Sequence, residues 1–184
     1  MRFLVLSFAV LALAGCNQAK QPAHQASPAT EFGQTKGVDR SHAGKPAPDV
    51  AFNDPDGQAI SIAQFKGAPV LVNLWATWCA PCVQELPTLD RLARTRRVAV
   101  VALSQDMGPH ASVVAFLQAH RITNLEAYQD PKMGFSGALN ADVLPTSILF
   151  DAQGREVWRF VGDLDWNSAE AAKLLAEAGA PKTS

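Results

Sequence analysis

The chain has 184 residues, with 16 Lys and Arg against 17 Asp and Glu and a formal net charge of −1. A chain without an excess of cations is poorly suited to neutralising phosphates, so its composition gives no case for nucleic-acid binding. The part from Gly44 onwards has the length of one ordinary domain, and it contains enough apolar residues for a hydrophobic core.

The first sixteen residues have the pattern of an export signal. Arg2 precedes an apolar run, residues 3–14, in which Ser7 is the one polar residue. A run of this length is too short to span a bilayer comfortably and is typical of a signal peptide. It ends in LAGC, which resembles the bacterial lipobox, so we expect cleavage before Cys16 and lipid on its thiol. An ordinary secretory signal with a chance cysteine and a buried N-terminal strand are the alternatives.

Residues 17–43 are predominantly polar. Only Phe32 and Val38 are large and apolar in this stretch, so it cannot bury enough surface to offset the entropy of ordering it. We therefore predict a flexible tether from Cys16 to residue 43, with a root-mean-square span of about 30 Å. His24 and His42 lie in this stretch and are interpreted as solvated.

After residue 44 the chain alternates between strand and helix patterns. The run Val70–Trp75 is almost entirely apolar and rich in Val and Leu, which is typical of a strand buried on both faces. Leu86, Leu89 and Leu92 then follow at helical spacing. Further along, the patterns predict strands at 97–103, 124–128, 146–151 and 156–161, a hairpin turn at 152–154, and helices at 112–120 and 168–178. This order implies an α/β fold with a central mixed β-sheet that is flanked by helices.

The three cysteines restrict what the pair in WATWCAPC can do. If Cys16 carries lipid, only Cys79 and Cys82 remain in the folded domain of an exported protein, where disulfides persist. Closing so short a loop contributes about 2 kcal/mol, against about 4.7 for a 100-residue loop, so stability is a poor reason for the pair. Zinc requires four ligands, and His110 and His120 are the only further candidates, so we expect no metal. The pair is interpreted as redox-active.

The two cysteines lie where the buried strand passes into the helix that contains Leu86. Cys79 is expected at the helix N-terminus and Cys82 one turn inside, with Pro81 in the first turn, where its missing N–H costs nothing. Unpaired N–H groups and the positive end of the helix dipole stabilise a thiolate. We therefore expect Cys79 to be the attacking nucleophile and Cys82 to be the thiol that resolves the mixed disulfide.

WCAPC after a buried strand, together with Leu144-Pro145-Thr146 directly before another strand, resembles the thioredoxin fold. From Gly44 to about Ala180 the chain is similar to the TlpA/ResA/CcmG group of membrane-tethered bacterial thiol–disulfide oxidoreductases. The similar stretches are GKPAPDVAFNDPDGQAISIAQFKGAPVLVNLWATWCAPCVQELP and LPTSILFDAQGREVWRFVGDLDW. The resemblance implies a thioredoxin-like domain at 44–184 with an N-terminal β-hairpin extension.

The same resemblance implies roles for residues around the cysteines. Pro145 is expected to be a cis-proline that lies against the cysteines, although an ordinary trans proline before a strand is the alternative. The Leu144 backbone is expected to pair with an extended substrate. Ala80 and Pro81 are expected to tune the reduction potential. Trp78 is expected to shield the first cysteine and to contact partners, with pure packing as the alternative.

Glu85 stands three residues after Cys82 and therefore lies on the same helix face. The resemblance places a glutamate there, where a partly buried carboxyl with a raised pKa would take the proton of Cys82. The alternative is a solvated residue of the early helix. Asn73 occupies the position of a buried aspartate in thioredoxins, and an amide cannot act as a base. Trp75 is interpreted as a core residue.

The resemblance implies a reductase that keeps the cysteines of exported client proteins reduced. Such clients include apocytochromes c awaiting haem and copper-site assembly proteins, with electrons supplied by a membrane protein of the DsbD/CcdA type. No cofactor is expected. Lipid on Cys16 would hold the protein at a membrane, with its catalytic domain in the periplasm.

Three other functions are alternatives. A peroxidase of the peroxiredoxin group has a Pro-x-x-x-Ser/Thr-x-x-Cys pattern, but Val72 and Ala76 occupy the two key positions here. A Sco-like copper chaperone pairs CxxxC with a distant histidine, and this chain has one residue fewer between its cysteines. A DsbA-type oxidase is the hardest to separate, because the direction of exchange depends on reduction potential and partner.

Overall fold

In the computed structural model, residues 36–179 are described. The predicted signal peptide, Cys16 and most of the predicted tether, including His24, lie outside these residues. Between residues 36 and 179, no helix has both the length and the apolar character of a membrane span.

The described residues form one eight-stranded mixed sheet in the order β1-β8-β7-β4-β5-β6-β2-β3. Strands β4, β5 and β6 are parallel to one another, and the other pairs are antiparallel. The strands are β1 (Gly37–Asp39), β2 (Phe52–Asn53), β3 (Ala59–Ile60), β4 (Val70–Trp75), β5 (Ala99–Ser104), β6 (Tyr128–Gln129), β7 (Thr146–Phe150) and β8 (Glu156–Val161). The helices are α1 (Ala80–Thr95), α2 (His110–Ala119), α3 (Gly134–Ala138) and α4 (Ala169–Ala176), with a 3₁₀ turn at Ile62–Phe65.

Strand β4 contributes apolar side chains to the hydrophobic cores on both faces of the sheet. Leu71 and Trp75 point into a core formed with α1, α2 and α4. Val70, Val72 and Leu74 point into a second core, to which the α3 region and the 3₁₀ turn contribute. All six residues of β4 are buried, as a strand covered on both faces requires. The predicted mixed sheet with helices on both faces is confirmed.

The short strand predicted at 124–128 is wrong in most of its length, because β6 contains only Tyr128–Gln129. The main-chain N–H groups of Thr123, Asn124 and Leu125 donate to Oδ1 of Asp90 on α1, at 3.0, 2.6 and 3.1 Å. A side-chain carboxylate therefore satisfies the donors that a neighbouring strand would otherwise take up. The apolar pattern was visible in the sequence, whereas this distant acceptor was not.

The folded chain begins earlier than the predicted end of the tether at residue 43. Strand β1 lies within the predicted tether and forms one edge of the sheet, where it pairs with β8 from Gly37 opposite Val161 to Asp39 opposite Arg159. An edge strand needs main-chain partners more than apolar side chains, so a polar sequence can fill the position. His42 is half-buried beside Lys45 rather than solvated, with 3.2 Å between its Nδ1 and the Lys45 Nζ.

The other predicted elements agree with the structure to within about two residues at most ends. Strands β4 and β8 have the predicted bounds, and helix α4 is capped by Ser168, whose hydroxyl accepts from the Ala171 N–H at 3.1 Å. The turn between β7 and β8 contains Gly154 with φ of 74°, a left-handed conformation that suits glycine. The predicted N-terminal hairpin extension is present as β2 and β3, with Phe52 opposite Ile60.

Candidate active site at the Cys79–Cys82 disulfide

The two cysteines form a disulfide at the junction between β4 and α1. Cys79 is the N-cap of α1, and its Sγ accepts a hydrogen bond from the Cys82 N–H at 3.3 Å. Pro81 lies in the first turn, as expected. Cys79 is 6% exposed and Cys82 is 1% exposed, so the first sulfur is nearer to solvent. An N-cap sulfur next to free N–H groups is the one whose thiolate the helix stabilises.

A carboxylate anchors the loop between β4 and Cys79. Asp106 accepts from the main-chain N–H of Thr77 at 3.0 Å and from its hydroxyl at 2.7 Å. The Ser104 hydroxyl donates to the same carboxylate at 2.7 Å. Sequence reasoning missed this anchor. The sequence contained one clue to it, the polar residues at the end of the buried strand β5. Because β4 and β5 are parallel, their carboxyl ends lie at the same edge of the sheet, so polar residues after β5 lie close to the loop after β4.

Glu85 lies on α1, one turn beyond Cys82, and is 4% exposed. Its Oε1 accepts from the Trp166 indole Nε1 at 2.7 Å and from the main-chain N–H of Leu164 at 3.1 Å. Its Oε2 accepts from the Asn73 Nδ2 at 3.0 Å. The alternative that Glu85 is a solvated residue of the early helix is therefore wrong. The carboxyl occupies a dry pocket that is supplied with three donors.

Burial raises the pKa of Glu85 to about 7, because removal from water disfavours the charged form. The hydrogen bonds from Asn73, Trp166 and the Leu164 main chain oppose this rise, and the nearby charge of Asp163 adds to it. A carboxyl whose pKa is near 7 exchanges a proton readily at neutral pH. This is the property expected of a group that serves a buried thiol.

Asn73 connects this pocket to the neighbouring strand β7. Its Nδ2 also donates to the Ser147 hydroxyl on β7 at 2.9 Å, so one amide group bridges Glu85 and the neighbouring strand. Asn73 is buried and, as expected from its chemistry, acts here as a donor rather than a base. The roles of Trp166, Leu164 and Ser147 were missed, although Trp166 lies within a stretch that carried the family resemblance.

The Leu144–Pro145 peptide bond is cis, as the resemblance implied. Thr146 follows directly and pairs with Leu74 across β7 and β4, which places Pro145 at the disulfide end of the sheet. The Pro145 carbonyl accepts from the Gly162 N–H at 2.9 Å, and Leu144 is half-buried.

The two tryptophans of the motif differ in exposure. Trp78 is 70% exposed beside Cys79, whereas Trp75 is fully buried in the core. The exposure of Trp78 fits the expected contact with partners, and the prediction that Trp75 is a core residue is confirmed. His110 donates from Nε2 to the Ala127 carbonyl at 2.6 Å, and His120 donates from Nδ1 to the Phe116 carbonyl at 2.9 Å. Within residues 36–179, no three His, Cys, Asp or Glu side chains are gathered as a metal site would need.

Comparisons with known proteins agree with this geometry. The model of the Redoxin family matches residues 42–175. The chain belongs to the redoxin family. Thiol-disulfide oxidoreductase ResA of Bacillus cereus is 31% identical over 123 residues, which cover 65% of this chain and 70% of that protein. Thiol:disulfide interchange protein DsbE of Xylella fastidiosa is 32% identical over 136 residues, which cover 72% of this chain and 67% of that protein.

Solved structures lead to the same family. A protein assigned as thiol:disulfide interchange protein DsbE of Chlorobium tepidum has a TM-score of 0.64 and 25% identity, and the match covers 74% of this chain and 98% of that one. This redoxin therefore has a thioredoxin-like fold and is a thiol–disulfide oxidoreductase of the ResA/DsbE type, with Cys79 and Cys82 as its CxxC pair. The enzyme class and the family resemblance predicted from the sequence are confirmed.

Proposed function

We propose that this redoxin is a reductase of disulfides in exported client proteins, such as those of cytochrome c maturation or copper-site assembly. Its electrons would come from a membrane protein of the DsbD/CcdA type. Lipid on Cys16 would hold it at a membrane, with the domain on the periplasmic side. The observation that carries the catalytic part of the proposal is the buried Glu85 carboxyl, with its pKa of about 7, one helical turn behind Cys82.

The chemistry has two steps. In the reduced protein, the Cys79 thiolate attacks one sulfur of the client disulfide. A bond forms between Cys79 and the client, the client S–S bond breaks, and the first client thiolate leaves. Cys82 then attacks the Cys79 sulfur, which forms the disulfide seen here and releases the second client thiolate. Two electrons pass from the protein dithiol to the client.

The second step needs a base because Cys82 is almost fully buried and enters the reaction as a thiol. Water has poor access to this proton, whereas Glu85 lies on the same buried face of α1. The Glu85 carboxylate would accept the proton as Cys82 attacks, and the Trp166 and Leu164 donors would hold it in place meanwhile. Pro145 and Leu144 would present an extended client segment at the same end of the sheet. Ala80 and Pro81, between the cysteines, would tune the reduction potential.

The proposal is tested by the rate of mixed-disulfide resolution. A client peptide is trapped on Cys79 with Cys82 as a thiol, and its release is followed by quenched flow across pH 5–9. Glu85→Gln should slow release near neutral pH by about 10²-fold. Glu170→Gln, on the exposed first turn of α4, is the matched control and should leave release unchanged. Superimposable profiles for wild type and Glu85→Gln would remove Glu85 from the mechanism.

The direction of exchange is tested by equilibration with glutathione. A reductase should have a potential near the range of thioredoxin and the glutaredoxins, about −270 to −200 mV, whereas an oxidase of the DsbA type lies near −120 mV. A reduction potential near −120 mV would contradict the proposed reductase and indicate an oxidase that uses the same two sulfurs. Mass spectrometry of the membrane-extracted protein, with Cys16→Ser as control, tests the lipid.

A further inference from the structure

A cavity of about 560 Å³ lies between α1 and α4, towards the end of the sheet opposite the disulfide. Pro69 and Val98, which line it, directly precede β4 and β5, whereas the cysteines follow the other end of β4. The volume is within the range of about 300–1,000 Å³ that is usual for small-molecule sites. The cavity is therefore separate from the thiol chemistry and large enough for a ligand of its own.

One part of the cavity wall is apolar. Leu92, Val98, Trp166 and Leu175 contribute large side chains to it. The α4 side is formed by alanines, among them Ala172, which are too small to fill the space between the two helices. A hydrocarbon body placed against this wall would be removed from water, which is favourable.

The rest of the wall is cationic. Arg91 and Arg97 line the cavity and are exposed, and no acidic residue of the described part of the chain lines it. The ion pairs found among the described residues involve neither guanidinium. Two positive charges without a carboxylate partner, next to an apolar wall, favour a ligand with an anionic head group.

The carboxylates that adjoin the wall in sequence are occupied elsewhere. Asp90 accepts three main-chain N–H groups from the segment before β6. Asp165 accepts the main-chain N–H of Asn167 at 2.9 Å. Glu177 pairs with Arg40 at 2.6 Å. The positive charge of the wall is therefore left for a ligand from outside the folded domain.

We propose that this cavity is a binding site for an anion with a single hydrocarbon chain, such as a medium-chain carboxylate. Its chain would pack against Trp166 and Leu175, and Arg91 and Arg97 would attract its head group. A carboxylate and a phosphate monoester of one alkyl chain share this chemistry. The site is additional to the proposed reductase, and binding does not depend on the direction in which the disulfide exchanges electrons.

Trp166 provides a spectroscopic reporter for the site. It lines the cavity, and its Nε1 donates to Glu85 at 2.7 Å, so a ligand that packs on the ring should move the NMR signal of the indole N–H. Trp78 is exposed beside the disulfide and does not line the cavity, so its indole signal is the internal control.

The test titrates the full chain, labelled with ¹⁵N at tryptophan and carrying Cys16→Ser to remove the proposed lipid. The probes are decanoate, decyl phosphate and decyltrimethylammonium, each below its micelle concentration. Decanoate should shift the Trp166 signal in a saturable manner and leave Trp78 unmoved. The cation should bind about 2- to 30-fold more weakly, as two exposed charge pairs imply. Tighter binding of decyl phosphate would identify a phosphate head group, and tighter binding of decanoate a fatty acid.

Two results would overturn the proposal. Equal affinity for the anions and the cation would show that the arginines recognise no head group. A shift of Trp78 without a saturable shift of Trp166 would place the amphiphile at the disulfide end of the sheet instead.

Charge variants of the wall sharpen the test. Ala172→Glu adds a carboxylate at an exposed helical position, and Ala172→Gln has the same length without the charge. Decanoate should bind Ala172→Glu about 2- to 5-fold more weakly than Ala172→Gln, and Arg91→Gln should weaken it by a similar factor. Arg94→Gln is the matched control, because Arg94 is also exposed on α1 but does not line the cavity. Equal losses in Arg91→Gln and Arg94→Gln would contradict binding at this wall.

A second copy of this chain is the alternative occupant of the cavity. Sedimentation equilibrium of the ligand-free protein distinguishes the two. A dimer that Ala172→Glu dissociates, together with no binding of decanoate, would overturn the proposal in favour of self-association. A monomer that binds decanoate would support the ligand site.

Discussion

The indole Nε1 of Trp166 donates a hydrogen bond of 2.7 Å to Oε1 of Glu85, across 81 positions of sequence. Both residues are buried. The contact joins the loop after β8 to the helix that carries the cysteines. The indole therefore replaces part of the hydration that the carboxylate loses in the core. It opposes the rise in the pKa of Glu85 without cancelling it.

The raised pKa of Glu85 predicts how stability depends on pH. Its value of about 7 in the folded protein exceeds the value of about 4.3 in an unfolded chain, so the folded state binds the proton more tightly. The associated stabilisation is fully present below about pH 4 and is lost as pH rises through 7. The difference of about 2.7 pKa units corresponds to roughly 3.7 kcal/mol. The free energy of unfolding of wild type relative to Glu85→Gln should therefore fall by this amount from pH 4 to pH 9.

Urea unfolding of the oxidised forms across this pH range measures the difference. Glu170→Gln, at an exposed position, serves as control and should give a nearly constant difference from wild type. A constant difference for Glu85→Gln as well would contradict the raised pKa. The comparison with a mutant cancels the contributions of the other carboxyls, which titrate in the same range.

Trp166→Phe should raise the pKa of Glu85 further, because it removes a donor that stabilises the carboxylate. A hydrogen bond to a charged group contributes about 1.5–3 kcal/mol, which corresponds to an upward shift of about one to two pKa units. The titration is followed by NMR of glutamate labelled with ¹³C at the carboxyl. Trp158→Phe is the matched control, since the Trp158 Nε1 donates to the Leu174 carbonyl instead. Equal shifts in the two variants would show that packing, and not the indole donor, sets this pKa.

Cys79 should be the more acidic thiol in the reduced protein. It is the N-cap of α1, and the Cys82 N–H points to its sulfur. In Cys82→Ser, alkylation of Cys79 should report a pKa below the free-cysteine value of about 8.5. In Cys79→Ser, alkylation of Cys82 should be slower at every pH, because Cys82 is buried. A Cys79 pKa at or above the free value would contradict the role of the helix N-terminus.

The domain should remain folded after reduction. The disulfide joins residues only three positions apart, so it contributes about 2 kcal/mol through loop entropy, while two cores cover the faces of the sheet. Denaturant unfolding of the oxidised and reduced forms should therefore differ by about this amount, with the oxidised form more stable. Collapse of the fold on reduction would indicate a structural bridge.

Features that depend on neighbouring residues were predictable from the sequence. The apolar run Val70–Trp75 specified a strand buried on both faces, and the following residues specified a helix with Cys79 at its N-terminus. Both follow from periodicity and from the chemistry of helix ends, which act over a few residues. The family resemblance added the cis bond before Pro145 and correctly indicated a partly buried Glu85.

The tertiary structure alone decided what surrounds Glu85 and where strands pair. The three donors to its carboxylate come from β4 and from the loop after β8, 12 to 81 positions away. The strand predicted at 124–128 was shortened by Asp90, more than thirty positions earlier, and β1 formed from residues with little apolar character. Hydrogen bonds and burial act between residues that are close in space. A sequence pattern contains the donors and acceptors, but only the packing of α1 against the sheet removes water from the carboxyl and so sets its pKa.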